Sequence, residues 1–155
     1  MISATHLHAM AVHFPIALLI IGFFAELSSL FIQKEFLRKA ALCLLLTGAL
    51  GTIASYLVGN AAGEGMEEGT LGKAIAIHEQ SATVALWLTA FTALVYLAVF
   101  CFRYNKKWAR IVSIALFAGV VGAIARTGYL GGQLVYKHGA GVELALPDFS
   151  NPGEK

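Results

Sequence analysis

Four long apolar stretches, running from about Ala9 to Ile32, Lys39 to Gly59, His78 to Phe102 and Trp108 to Val135, leave this chain few ways to fold. Each reaches or exceeds the roughly 20 residues that a helix needs to cross the hydrocarbon of a bilayer. Hydrophobic residues make up 58% of the 155-residue chain and charged residues 13%, against roughly a quarter charged in a soluble domain. A soluble core of this length could not hide so much apolar surface, so lipid must cover it. The mean hydropathy of +0.74 agrees.

The first and third connections are short, and short connections force antiparallel neighbours. The expected architecture is an all-α, integral-membrane, up-down-up-down four-helix bundle formed by one domain over residues 1–155. The second connection, residues 60–77, reads as a Gly-rich acidic loop with room for one interfacial turn. No internal repeat is visible. The N-terminus lacks a basic region, and no small-residue cleavage site follows the first apolar run, which therefore reads as a retained helix rather than a signal peptide.

Charge orients the bundle. The first and third connections carry Lys34, Arg38, Lys39, Arg103, Lys106, Lys107 and Arg110 against the single acid Glu35. The other side carries Lys73, Lys137 and Lys155 with Glu64, Glu67, Glu68, Glu79, Glu143, Asp148 and Glu154. Basic loops stay in the cytoplasm. Both termini and the acidic loop are therefore expected on the outer, periplasmic side of a bacterial inner membrane.

Imidazole is the one group here that binds metals well and changes charge near neutral pH. His8 and His13 open the first span, His78 opens the third and His138 follows the fourth, so all four are expected near the outer face. In an even bundle the first and third helices are diagonal, which makes His13 and His78 the expected opposed pair. His8 and His13 differ by about 140° around a helix and do not form an i, i+4 grip on one ion. His6 reads as a solvated residue of the tail.

Two charges lie deep in the spans. Counting at about 1.5 Å per residue, Glu26 and Arg126 fall at similar depth, and an unpaired charge there is costly. A Glu26–Arg126 contact is expected, as an interhelical clamp or as part of a proton path or quinone pocket. Gly119, Gly122, Gly128, Gly131 and Gly132 of the fourth span, and Gly48, Gly51, Ser55 and Gly59 of the second, read as close-packing positions that could also make room for a flat macrocycle. Pro15 reads as a residue near the start of the first helix. Cys43 and Cys101, with no CxxC or CxxCH, read as small buried hydrophobes, which excludes covalent c-type haem attachment.

The strings VHFPIALL (residues 12–19) and GGQLVYKHGAGV (residues 131–142) resemble those of a family of small bacterial integral membrane proteins catalogued as a domain of unknown function. Its members open with a pattern like HPxxVHFPIAL, close with one like GGxLVYxHGVGV, and carry a histidine at the start of the third span. By position, the family histidines fall on His8, His13, His78 and His138. Ala9 departs from the proline that usually follows the first of them. Related domains occur beside or fused to c-type cytochrome modules, so the resemblance implies redox work at the outer face.

The leading expectation is a b-type cytochrome-like electron-transfer protein or redox-complex subunit. One or two haem b groups would be held through His13 and His78, with His8 and His138 serving a second haem or supporting roles. A quinone, a periplasmic c-type cytochrome or other subunits are the expected partners, and nothing points to nucleic acid. The alternative is a copper or zinc site built from three or four of the same imidazoles. A further alternative is a structural or assembly subunit without cofactor. No nucleophile–base pair or phosphate loop marks a stand-alone enzyme. Four unbroken spans without an inverted repeat offer no transport path.

Overall fold

The computed structural model describes residues 3–32, 34–66, 68–104 and 106–142. Glu67, Glu143, Asp148, Glu154 and Lys155 of the charge comparison lie outside the described residues. Four α-helices follow in order: α1 (Ala4–Ile32), α2 (Glu35–Gly63), α3 (Gly69–Cys101) and α4 (Lys107–His138). Their lengths of 29, 29, 33 and 32 residues correspond to about 44–50 Å, longer than the roughly 30 Å of bilayer hydrocarbon. All four are long and apolar enough to cross a membrane.

α1 packs on α2 and α4, and α3 packs on α2 and α4, so α1/α3 and α2/α4 are the diagonals of an up-down square. The helices extend beyond the expected spans, mainly at the end that carries both termini. The expected loop over residues 60–77 is mostly helical: α2 continues to Gly63 and α3 begins at Gly69. The segment Leu71–Ile77 is rich in Ala, Leu and Ile with a lysine, and such residues prolong a helix past the membrane edge.

The interior stripe of α1 is Pro15, Leu19, Gly22, Glu26 and Ser29, spaced alternately four and three residues apart, as one helix face requires. Pro15 is thus inside the helix and buried, not near its start. Gly51 of α2 faces it, and a Cβ there would lie 3.2 Å from Pro15 Cβ. Missing the side chain, Gly51 lets the pyrrolidine ring seat directly against α2. Leu19, Leu45, Phe117 and Val120 are fully buried at mid-bundle. Phe117 stands edge-on to Phe23 and Tyr96, with ring centroids 5.7 and 5.6 Å away. Around the perimeter the large side chains are apolar and exposed, among them Phe14, Phe31, Phe36, Trp87 and Trp108. Cys43 and Cys101 are also exposed. This corrects their reading as buried residues: Cys43 lies two positions before the buried Leu45, about 200° around the helix.

The end of α4 explains the glycines of the HGAGV string. Gly139 closes the helix in the left-handed conformation (φ 66°), where glycine has no steric penalty. The Ala140 N–H then donates back to the Leu134 carbonyl at 3.0 Å. Gly141 (φ 74°) comes so close to α1 that a Cβ would meet Thr5 Cγ2 at 2.6 Å. The turn after α4 is thereby held against the first turn of α1.

Candidate functional site

Two of the four singled-out histidines meet inside the bundle, and they are His8 and His78. Their ring centroids are 6.5 Å apart with the planes at 83°. Both lie on interior stripes, His8 seven residues before Pro15 and His78 seven before the buried Ala85. Because α1 and α3 are diagonal, the two imidazoles approach across the core at the end bearing the termini. The diagonal expectation therefore holds, with a different residue from α1. His13 is two residues from Pro15, about 200° around the helix. It is exposed, and its Nδ1 donates to the Ala9 carbonyl of its own helix at 2.6 Å. His138 continues the stripe Phe117, Ile124, Gly131, but it is the last residue of α4 and exposed. His6 is exposed in the first turn of α1.

Each paired imidazole rests on a glycine of a neighbouring helix. A Cβ on Gly59 of α2 would stand 2.8 Å from His8 Cε1, and one on Gly131 of α4 would stand 3.2 Å from His78 Cε1. The two glycines are the notches that admit the rings. Gly122, Gly128 and Gly132 face open space, so only part of the glycine pattern serves packing.

Hydrogen bonding sets the chemistry of His8. Its Nδ1 lies 3.0 Å from the Ser55 carbonyl of α2. A carbonyl can only accept, so Nδ1 carries the proton and the neutral ring presents the lone pair of Nε2. Metal-binding imidazoles are commonly oriented in this way. The His78 ring lies beside the Thr127 backbone, yet its Nδ1 is buried without a hydrogen bond, as is the Ser55 hydroxyl. Below the pair, Ser81 and Thr127 join α3 to α4 at 3.0 Å, and Tyr56 and Thr83 join α2 to α3 at 3.1 Å. Among the described residues, no group of three or more His, Cys, Asp or Glu side chains is placed to hold a metal ion.

The buried acid has a different partner from the expected one. Glu26 Oε1 lies 3.8 Å from Arg110 Nε, whereas Arg126 is exposed. Depth matched Glu26 to Arg126, but rotation separates them, since Arg126 lies two residues past the buried Ile124, about 200° away. Arg110, placed at the edge of the span by charge counting, reaches inward and donates through Nη2 to Ser29 Oγ at 2.8 Å. Sequence reasoning missed this role, although the spacing of Arg110 from Ser113 and Phe117 along the α4 stripe carried the signal.

Four antiparallel apolar helices, with His8 and His78 at one end of their interior and Glu26 and Arg110 at the other, define a polytopic α-helical membrane protein. Residues 4–144 match the family described as predicted membrane protein (DUF2231), and the chain belongs to that family. No curated protein and no solved structure matches it.

Proposed function

We propose that this protein is a membrane electron-transfer component that holds haem b between His8 and His78. The observation that carries the reading is the pair of interior imidazoles supplied from diagonal helices. A six-coordinate haem asks its protein for two axial ligands, because the porphyrin supplies the rest. Zinc sites are almost always four-coordinate, with three or four of the ligands from the protein, and only two histidines converge here. The orphaned His78 Nδ1 also leaves that ring a nitrogen free to act as a ligand. A haem so held supplies reversible one-electron transfer. The chain's own part is to fix the His8 tautomer through Ser55 and to seat both rings. His13, on the perimeter, and His138, exposed at the end of the α4 stripe, would need a partner surface to enclose a second haem, so the reading takes one per chain.

The test is an optical spectrum of protein purified in mild detergent, oxidised and then reduced with dithionite. A Soret band that shifts on reduction is expected. Protein without a Soret band, or with stoichiometric copper or zinc in place of iron, overturns the haem reading.

The same reading sets the histidine end on the outer side of a bacterial inner membrane, from the basic residues of the first and third connections. There the exposed Glu64 and Glu68 would favour a basic partner such as a c-type cytochrome, and a quinol would reach the site from the lipid. With this orientation an alkaline phosphatase fused after Lys155 is expected to be active, and an inactive fusion alongside a fluorescent C-terminal GFP reverses it.

A further inference from the structure

At the opposite end of the bundle, polar groups from all four helices, Glu26, Arg38, Tyr96, Arg110 and Ser113, converge on a cavity of about 30 Å³ that Leu42, Val99 and Phe100 also line. Glu26 and Ser113 are each 3% exposed and Tyr96 8%. The Tyr96 and Ser113 hydroxyls and Arg110 Nε are buried without hydrogen-bond partners. The Glu26 carboxylate is no better served. Arg110 stands off at 3.8 Å, its side chain 32% exposed, and its Nη2 is engaged by Ser29. Ser29 in turn donates to the Glu26 backbone carbonyl at 2.6 Å, not to the carboxylate.

Three unpartnered donors and one under-used acceptor thus surround a void. A buried water needs two to four polar partners and at least about 10–15 Å³ of accessible space, and this cavity meets both conditions. It is too small for a quinone ring or a phosphate. We propose that the cavity holds water linking the Glu26 carboxylate to Tyr96, Ser113 and Arg110, and that through it Glu26 exchanges a proton with the aqueous phase at the connection end. The balance is simple: the carboxylate takes one proton from bulk water to become a carboxylic acid, and no other bond changes. The charged and titratable groups that face Glu26 are Arg38 of α2, Tyr96 of α3 and Arg110 of α4. Exposed Arg38 and half-exposed Arg110 form the mouth. Between Glu26 and the histidine pair the interior is filled by Leu19, Leu45, Phe117 and Val120 together with Thr89 and Thr92, whose hydroxyls donate to carbonyls of their own helix, so the mouth at Arg38 and Arg110 is the short route for the proton. The site stands whether or not haem is bound at the other end.

Infrared difference spectra across a pH series, in H₂O and D₂O, test this without any cofactor. A protonated-carboxyl band is expected to grow as pH falls, to shift in D₂O and to be lost in Glu26→Gln. In Tyr96→Phe, which keeps the carboxylate, it is expected at an altered frequency. No Glu26-dependent band at any pH at which the protein stays folded means a permanently ionised clamp and overturns the proposal. A band that neither D₂O nor Tyr96→Phe moves removes the water link and overturns it too. If Glu26→Gln does not assemble, carbodiimide labelling of the wild type decides. Modification of Glu26 that weakens as pH rises supports proton exchange, and an unmodified Glu26 beside a modified Glu64 refutes it.

Discussion

If the protein holds haem b as proposed, replacing either His8 or His78 by alanine is expected to abolish its absorbance, while His13→Ala leaves it in place. The three histidines look alike in the sequence, and the difference lies in where they point. His8 and His78 face each other across the core at 6.5 Å, whereas His13 is exposed and bonded to its own helix. A structural contribution can be separated from a ligand role without touching a histidine. In Gly59→Ala the new Cβ would stand 2.8 Å from His8 Cε1, inside contact distance, so the ring must leave its seat. This variant is expected to lose most of the haem absorbance while keeping its helical circular dichroism and its elution volume. Bleaching by His13→Ala together with an unchanged His8→Ala spectrum would return the ligand role to His13 and sink the pairing.

The second large effect concerns the α1–α2 seam. A Cβ on Gly48 would lie 2.6 Å from Leu19 Cγ and 2.8 Å from Leu19 Cδ2. Leu19 is fully buried, so its side chain must shift within a packed core or the backbones must part. Overpacking of this kind costs about 1–3 kcal/mol. Gly48→Ala is therefore expected to lower the unfolding midpoint in detergent clearly. Gly128→Ala, where nothing lies within 4 Å, should leave it unchanged or raise it slightly, since alanine favours a helix by about 1 kcal/mol over glycine. Equal effects at the two positions would show that Gly48 and Leu19 are not in close contact.

The two ends of the bundle have distinct chemistry. His8 and Glu26 lie on the same stripe of α1, about 27 Å apart along the helix, with the Phe117 layer between them. An electron site at one end and a proton-exchanging carboxylate at the other would share a scaffold.

The number of helices, their antiparallel order and the diagonal relation of α1 to α3 could be read from the chain alone. Those properties depend on the length of apolar runs and the shortness of connections, and neither needs side-chain detail. The concentration of basic residues in the first and third connections was equally plain. What only the tertiary structure decided is the rotation of each helix about its axis. In a soluble helix, polar residues mark the outside; here lipid accepts apolar residues all round, so Phe14 on the perimeter and Leu19 in the core look the same in the sequence. That one missing coordinate accounts for the choice of His8 over His13, of Arg110 over Arg126, and for the outward turn of Cys43. Depth along a membrane helix follows from counting residues, but facing follows from which neighbours pack most closely. Here the close approaches at Gly48, Gly51, Gly59 and Gly131 determine it.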